Sequence, residues 1–276
     1  MTAQIAFFGG SFTAIPRDYM TELLSVAKRA VERFSVYTGI RCSTRPDCID
    51  EEILGLLKSY GMTAIELGAQ SMSDEVLSAN ERGHTAEDVE KAARLIRENG
   101  FELGLQMMTG LYKDAPEKSL YTAEKFIEMR PETVRIYPTV ILKNTRLGEL
   151  FESGDYTSFS FEETVELCAT LLRKFEQNDI RVIRMGLHAS DDVEREMLGG
   201  VYHPSFREIV ESRLMLNDLT KLLKPLPKGD YTVFTDGKNL SKLIGQKRGN
   251  LEKLREMGYR IKVKEKSGVY LEIEES

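Results

Sequence analysis

Two spacings of apolar residues alternate along the chain. Short runs rich in β-branched and aromatic residues read as strands: Ile5–Phe8, Gly39–Ser43, Ala64–Gly68, Glu102–Met108, Thr133–Tyr137 and Ile180–Met185. Between them apolar residues recur at helical spacing. Ile53, Leu54, Leu57 and Tyr60 run up to a stop at Gly61, and Val89, Ala92, Ala93 and Ile96 to a stop at Gly100. Glu162–Gln177 carries Val165, Leu167, Leu171, Leu172 and Phe175 on one side. Thr85 and Asp88 have the spacing of a capping box, in which each side chain satisfies a free backbone N–H at a helix start. Strands alternating with helices imply parallel pairing through helical crossovers. Six such units predict an α/β fold, a complete or open (β/α) barrel, with its chemistry at the C-terminal strand ends.

The polar residues expected at those ends are Gly9-Gly10-Ser11, Ser43-Thr44-Arg45, Glu66 with Gln70, Gln106, and Tyr137-Pro138, with Arg82 in the loop after the third strand. Gly9-Gly10 lets a ligand approach the backbone, whose carbonyls accept from an ammonium group. Arg82 has the planar fork that suits a carboxylate. Gln70 and Gln106 can bond ribose hydroxyls. The set suits an amino-acid nucleoside better than a phosphate, which calls for a glycine loop opening directly into a helix. Here Pro16 and Arg17 intervene. Each feature also has a plain structural reading: a tight turn, a surface ion pair, hydrated amides. Met62, Met107 and Met108 read as core, and His84, His188 and His203 as isolated structural residues. Glu66 as a general base has no partner carboxylate or histidine at a strand end.

Composition narrows the class. Of the 276 residues 41% are hydrophobic and 30% charged, the balance of a globular protein. No apolar run is long enough for a membrane span, and no secretory signal is visible. Three scattered cysteines, Cys42, Cys48 and Cys168, look like reduced cytosolic thiols, so a cytoplasmic protein without a disulfide partner is expected. The net charge of −6 is uneven: Lys221–Ser276 holds 13 Lys and Arg against 8 Asp and Glu. A basic tail on an acidic body points to two modules, residues 1–220 and 221–276, and to a polyanion as one partner of the tail.

The stretches "FFGGSFTAIP", "CSTRPD", "IELGAQSMSDEVLSANERGHT", "LGLQMMTGLYKD" and "VRIYPTVILKNTRL" occur in an order that resembles the radical S-adenosylmethionine (SAM) superfamily. The resemblance covers roughly residues 4–215 and points to the branch of the Elongator catalytic subunit and the oxygen-independent coproporphyrinogen oxidases. It implies a partial TIM-like barrel. It matches Gly9 and Gly10, beside Ser11, to the motif receiving the SAM amino group, and Arg82 to the residue meeting its carboxylate. Gln70 and Gln106 match the ribose positions, Ser43 a strand position facing SAM, and Ile136–Pro138 the backbone along adenine. In such enzymes a [4Fe–4S] cluster donates an electron that splits SAM into methionine and a 5′-deoxyadenosyl radical, which takes a substrate hydrogen. The family's CxxxCxxC triad follows the first barrel strand, whereas this chain starts at the strand matching the second. None of its cysteines matches that triad. The expectation is therefore a shortened form that holds no cluster, whose full-length parent, by the resemblance and the basic tail, modifies RNA at a tRNA base. The alternatives are a cluster-less RNA-binding or scaffold protein and a coproporphyrinogen oxidase-like oxidoreductase.

The tail has its own pattern. After "KLLKPLPKGD", Tyr231–Thr235 reads as a strand, Asn239–Ile244 and Asn250–Met257 as helices, and Tyr259–Lys264 with Val269–Glu274 as a final hairpin. "LIGQKRGNLEKLREMG" resembles the KH RNA-binding element, in which a GxxG loop between two helices clamps a nucleic-acid backbone. Gly245, Lys247 and Arg248 would form the clamp, with arginine in place of the second glycine.

Overall fold

The computed structural model describes residues 2–275. Its main sheet has six parallel strands in sequence order: β1 (Ala3–Phe7), β2 (Tyr37–Thr44), β3 (Met62–Gln70), β4 (Glu102–Thr109), β5 (Thr133–Pro138) and, past a short β6 (Val140–Leu142), β7 (Arg181–Met185). All six predicted strands are present, each within a few residues of its expected span. The helices α1 (Arg17–Arg33), α2 (Glu51–Ser59), α3 (Asp74–Ala79), α4 (Ala86–Glu98) and α5 (Pro116–Met129) lie in the crossovers, and α6 (Arg146–Glu152) and α7 (Phe161–Glu176) lie between β6 and β7. Sequential parallel order with helical connections is an incomplete (β/α) barrel. After α8 (Asp191–Glu196), β8 (Met197–Gly200) returns to pair antiparallel with β6, a ribbon that the sequence pattern did not reveal.

The strand alternation separates two chemistries. Ile40, Cys42, Ile65, Leu67, Leu103, Leu105, Met107, Val134 and Ile136 are fully buried. Each large side chain among them contributes about 1.5–3 kcal/mol by leaving water. The intervening positions carry Arg41, Ser43, Glu66, Gln106, Arg135 and Tyr137, so the opposite face of the sheet is polar. Met62 and Met107 are core as expected, while Met108 is half-buried. His84 is buried with Nε2 3.1 Å from the Ala69 carbonyl.

The chain forms two compact units. One comprises residues through Phe159 with Lys174–Met185 and Ser190–Val201, and contains the whole six-stranded sheet. The other comprises Ser160–Arg173, Gly186–Ala189 and the residues from Tyr202 onward. In the second unit α9 (Phe206–Leu223) precedes β9 (Gly229–Thr235), α10 (Leu240–Ile244), α11 (Gly249–Glu256), β10 (Tyr259–Glu265) and β11 (Glu272–Glu275). Met215, Leu216, Leu219 and Leu223 of α9 share one core with Tyr231, Val233, Leu243, Leu254 and Tyr259. The tail's core thus draws on α9, and its expected start at Lys221 falls inside that helix.

The expected final hairpin is corrected. β9 lies between the other two strands, parallel to β10 and antiparallel to β11. The β9–α10–α11–β10 crossover brings the strands into parallel register, and β11 then pairs with the remaining edge of β9.

The capping box at α4 is present in full: Asp88 N–H donates to Thr85 Oγ1 at 3.2 Å, and Thr85 N–H donates to Asp88 Oδ2 at 2.8 Å. Thr85→Ala removes one half of it and is expected to cost about 1 kcal/mol of unfolding free energy. Urea denaturation checks this, and an unchanged midpoint would contradict the capping role.

Candidate functional site

Of the SAM-site residues expected from sequence, Gly9, Gly10, Ser11, Ser43, Gln70, Gln106, Ile136 and Pro138 lie on or just after β1 to β5, toward their C-terminal ends, and Arg82 lies in the loop after β3. Gly9 and Gly10 follow β1 with φ of +104° and +151°, conformations that side chains resist. A Cβ built on either meets nothing within 4 Å, so their backbone faces open space. A cavity of about 290 Å³ adjoins them, lined also by Phe8, Ser11, Phe12 and Tyr19. The Ser11 carbonyl accepts from Ala14 N–H at 3.0 Å, starting the short turn that leads to Pro16 and α1.

Gln70 ends β3 at a bulge. Leu67 pairs with Leu105 but Gln70 pairs with Met107, so β3 carries one extra residue over β4. Gln70 has φ +66°, rare for a residue with a side chain. Its Oε1 accepts from Gln106 Nε2 at 3.0 Å, which places the two amides side by side. Residues in such conformations gather at functional sites.

Arg82 lies in the turn between α3 and α4, where Glu81 and Gly83 also have positive φ. Its Nε is buried with no acceptor among the described residues. Burial, and after it the nearby Arg45, pulls its pKa down. Arg45 itself is bound to Asp47, its Nε 2.9 Å from Oδ1. Arg82 therefore sits beside a like charge and forms no ion pair among the described residues, an arrangement that favours an incoming anion.

The other expected positions differ. Ser43 is committed to the protein, since its Oγ donates to Glu66 Oε1 at 2.9 Å. Ile136 is fully buried, on a strand paired with Met107 on one side and Met185 on the other. Pro138 ends that strand, and Thr139 N–H then donates to the Thr109 carbonyl at 2.9 Å. Glu66 is no free base. Arg135 Nε donates to its Oε2 at 2.6 Å, and Arg41 Nη2 lies 3.8 Å from the same atom. Burial pulls Arg135 down, but the Glu66 carboxylate and Tyr137 outweigh it and hold its pKa above the usual value. Arg41, Arg135 and Phe8 were not among the site positions expected from sequence. An arginine at an inward position of a predicted strand was the available signal.

In the second unit Gly245, Lys247 and Arg248 occupy the turn between α10 and α11. Lys247 and Arg248 are exposed, with φ of +49° and +65° and no ion pair among the described residues. Gly245 has φ +75°, and a Cβ there would lie 2.9 Å from Asn250 Cγ. Asn250 Nδ2 in turn donates to the Lys242 carbonyl at 3.0 Å and the Leu243 carbonyl at 3.2 Å. The turn thus requires this glycine for packing alone, and Gly245→Asp would strain the fold.

The cysteines do not fit an iron–sulfur cluster. Cys42 is fully buried in β2, and burial pushes its thiol up to about 12, away from the thiolate a ligand must be. Cys168 is also buried, in α7, and Cys48 is half-buried with its thiol likewise raised by burial. Among the described residues no three His, Cys, Asp or Glu side chains form a metal site, and no helix is long and apolar enough to cross a membrane.

Comparison with known proteins matches residues 2–126 to the radical SAM superfamily and residues 131–215 to the radical SAM C-terminal domain. Elongator complex protein 3 of Homo sapiens is 30% identical over 226 residues, covering 75% of this chain and 40% of that protein. A tRNA uridine(34) acetyltransferase of Methanocaldococcus infernus is 29% identical over 187 residues, covering 59% and 34%. Among solved structures, the M. infernus Elp3 with an N-terminal deletion superposes with TM-score 0.66 at 21% identity, covering 81% of this chain and 55% of that one. Coproporphyrinogen III oxidase (HemN) from Escherichia coli, a radical SAM enzyme, gives TM-score 0.50 at 16% identity, covering 80% and 62%. Both structures share the fold. The chain spans about 40% of the length of the Elongator protein it matches in Homo sapiens.

Proposed function

The chain belongs to the radical SAM superfamily, in its Elongator-like branch, and from that premise we propose that its strand ends bind SAM for the modification of a tRNA base. The reading is supported by three groups on or following the C-terminal ends of β1, β3 and β4. They are an open glycine backbone after β1, a half-buried arginine without an ion pair after α3, and a bulge that sets Gln70 beside Gln106.

The residues present fit SAM. Carbonyls of Gly9-Gly10 accept from its ammonium group, with Ser11 adjoining. Arg82 holds its carboxylate, Gln70 and Gln106 meet its ribose, and the end of β5 at Ile136–Pro138 runs along its adenine. Ser43 acts one step back by fixing Glu66 beneath the site. SAM, when bound, supplies the hydrogen-abstracting radical chemistry of the family. This chain's own residues would bind and orient it; its three cysteines do not fit a cluster, and no electron-transfer role is assigned to them. A chain that binds SAM and RNA without reacting alone is the second reading, favoured by the burial of Cys42 and Cys168.

RNA is assigned to the second unit. The βααβ order of β9 to β10, and two exposed cations in the turn between its helices, support a KH-like clamp at Gly245, Lys247 and Arg248. The base as substrate follows the uridine-directed relative, and a cytoplasmic site of action follows from the three free thiols.

Two outcomes follow. Arg82→Ala should weaken SAM binding by about 1.5–3 kcal/mol, the worth of a charged hydrogen bond. Calorimetric titration reads it directly, and equal affinities would refute the carboxylate contact. For the tail, Lys247→Ala with Arg248→Ala should weaken a short single-stranded RNA about tenfold or more, as loss of phosphate contacts does. Lys262→Ala, on β10 between Ile261 and Val263, which pack against the core, should change it little. Equal losses would mean that only total charge counts.

A further inference from the structure

On the polar face of the sheet lies a group of side chains given no direct contact with SAM in that reading. The Glu66 residue is 2% exposed, and its Oε2 sits between two guanidinium groups, Arg135 Nε at 2.6 Å and Arg41 Nη2 at 3.8 Å. Ser43 donates to its other oxygen. Two cations against one anion leave an unbalanced positive charge on side chains only 15%, 14% and 3% exposed. Burying such charge is costly, and a buried triad is a poor stabilising device compared with apolar packing.

The donors are also incompletely used. Arg41 Nε is buried without an acceptor, and its Nη1 reaches Gln4 Oε1 only at 3.4 Å. Arg135 donates through Nη1 to Tyr137 Oη at 3.3 Å. Its guanidinium lies 4.9 Å over the ring of Phe8, the residue that leads into Gly9-Gly10. Phe8 is 54% exposed, so Arg135 borders solvent-accessible space next to the proposed SAM cradle.

We infer that Arg41 and Arg135, which share the Glu66 carboxylate, form a receptor for an oxyanion, a phosphate or carboxylate group of the molecule that reacts opposite SAM. The guanidinium fork matches either anion. Glu66 occupies both guanidinium groups and so competes with the ligand, which keeps the anion exchangeable. The inference rests on the SAM reading only in taking this face as the substrate side.

The test contains no SAM, so its failure and that of the Arg82 test are separable. The purified chain is titrated with pyrophosphate in one arm and malonate in the other. Saturable binding is expected in at least one arm, and the tighter arm names the anion class. Arg41→Gln and Arg135→Gln should each weaken it roughly tenfold or more. Arg146→Gln, at a surface pair with Glu149, should leave it unchanged. Glu66→Gln removes the competing carboxylate and should tighten binding severalfold, a gain that a misfolded chain cannot show. Absence of saturable binding in both arms, equal loss in Arg146→Gln, or weaker binding in Glu66→Gln would overturn the inference.

Discussion

One carboxylate ties the polar face of the half-barrel together. Glu66 on β3 bonds Ser43 on β2 and Arg135 on β5, and lies within reach of Arg41 on β2. A carboxylate with so little exposure persists only when its oxygens are fully engaged. Small residues make the room: a Cβ on Gly104, the β4 residue in register with Glu66, would lie 3.3 Å from the Glu66 side chain. The register of β2, β3 and β4, set by apolar residues packed on the other face, therefore also sets where the charges meet.

The residues proposed to meet SAM lie at the strand ends and in the loops that follow them. The bulge at Gln70 turns its amide toward Gln106 instead of continuing the ladder. Arg82 is presented from a turn with left-handed residues on both sides of it. Both conformations carry backbone strain, which the buried strands and the capped α4 offset. The candidate site is thus a set of strained, polar strand ends on an apolar frame, the place where (β/α) barrels arrange their chemistry.

The frame was legible because strand and helix periods differ and each stretch was long enough to show one of them. Thr85 and Asp88 were legible because a capping box is local. Arg41 and Arg135 were not, since a single charged residue inside an apolar strand reads as noise until the register brings Glu66 between them. The β6–β8 ribbon and the placement of β9 between β10 and β11 were hidden for the same reason: pairing partners far apart in sequence leave no periodic trace. Gly245 was legible as a glycine turn, but its contact with Asn250 supplies a packing reason that the motif alone could not convey.

The most direct test of the account is a crystal structure of the chain soaked with SAM. The account predicts density for the nucleoside across the C-terminal ends of β1 to β5. The methionine amino group should lie on the Gly9-Gly10 carbonyls, the carboxylate on Arg82, and the ribose between Gln70 and Gln106. SAM bound away from these strand ends, or bound there with its carboxylate turned from Arg82, would contradict it.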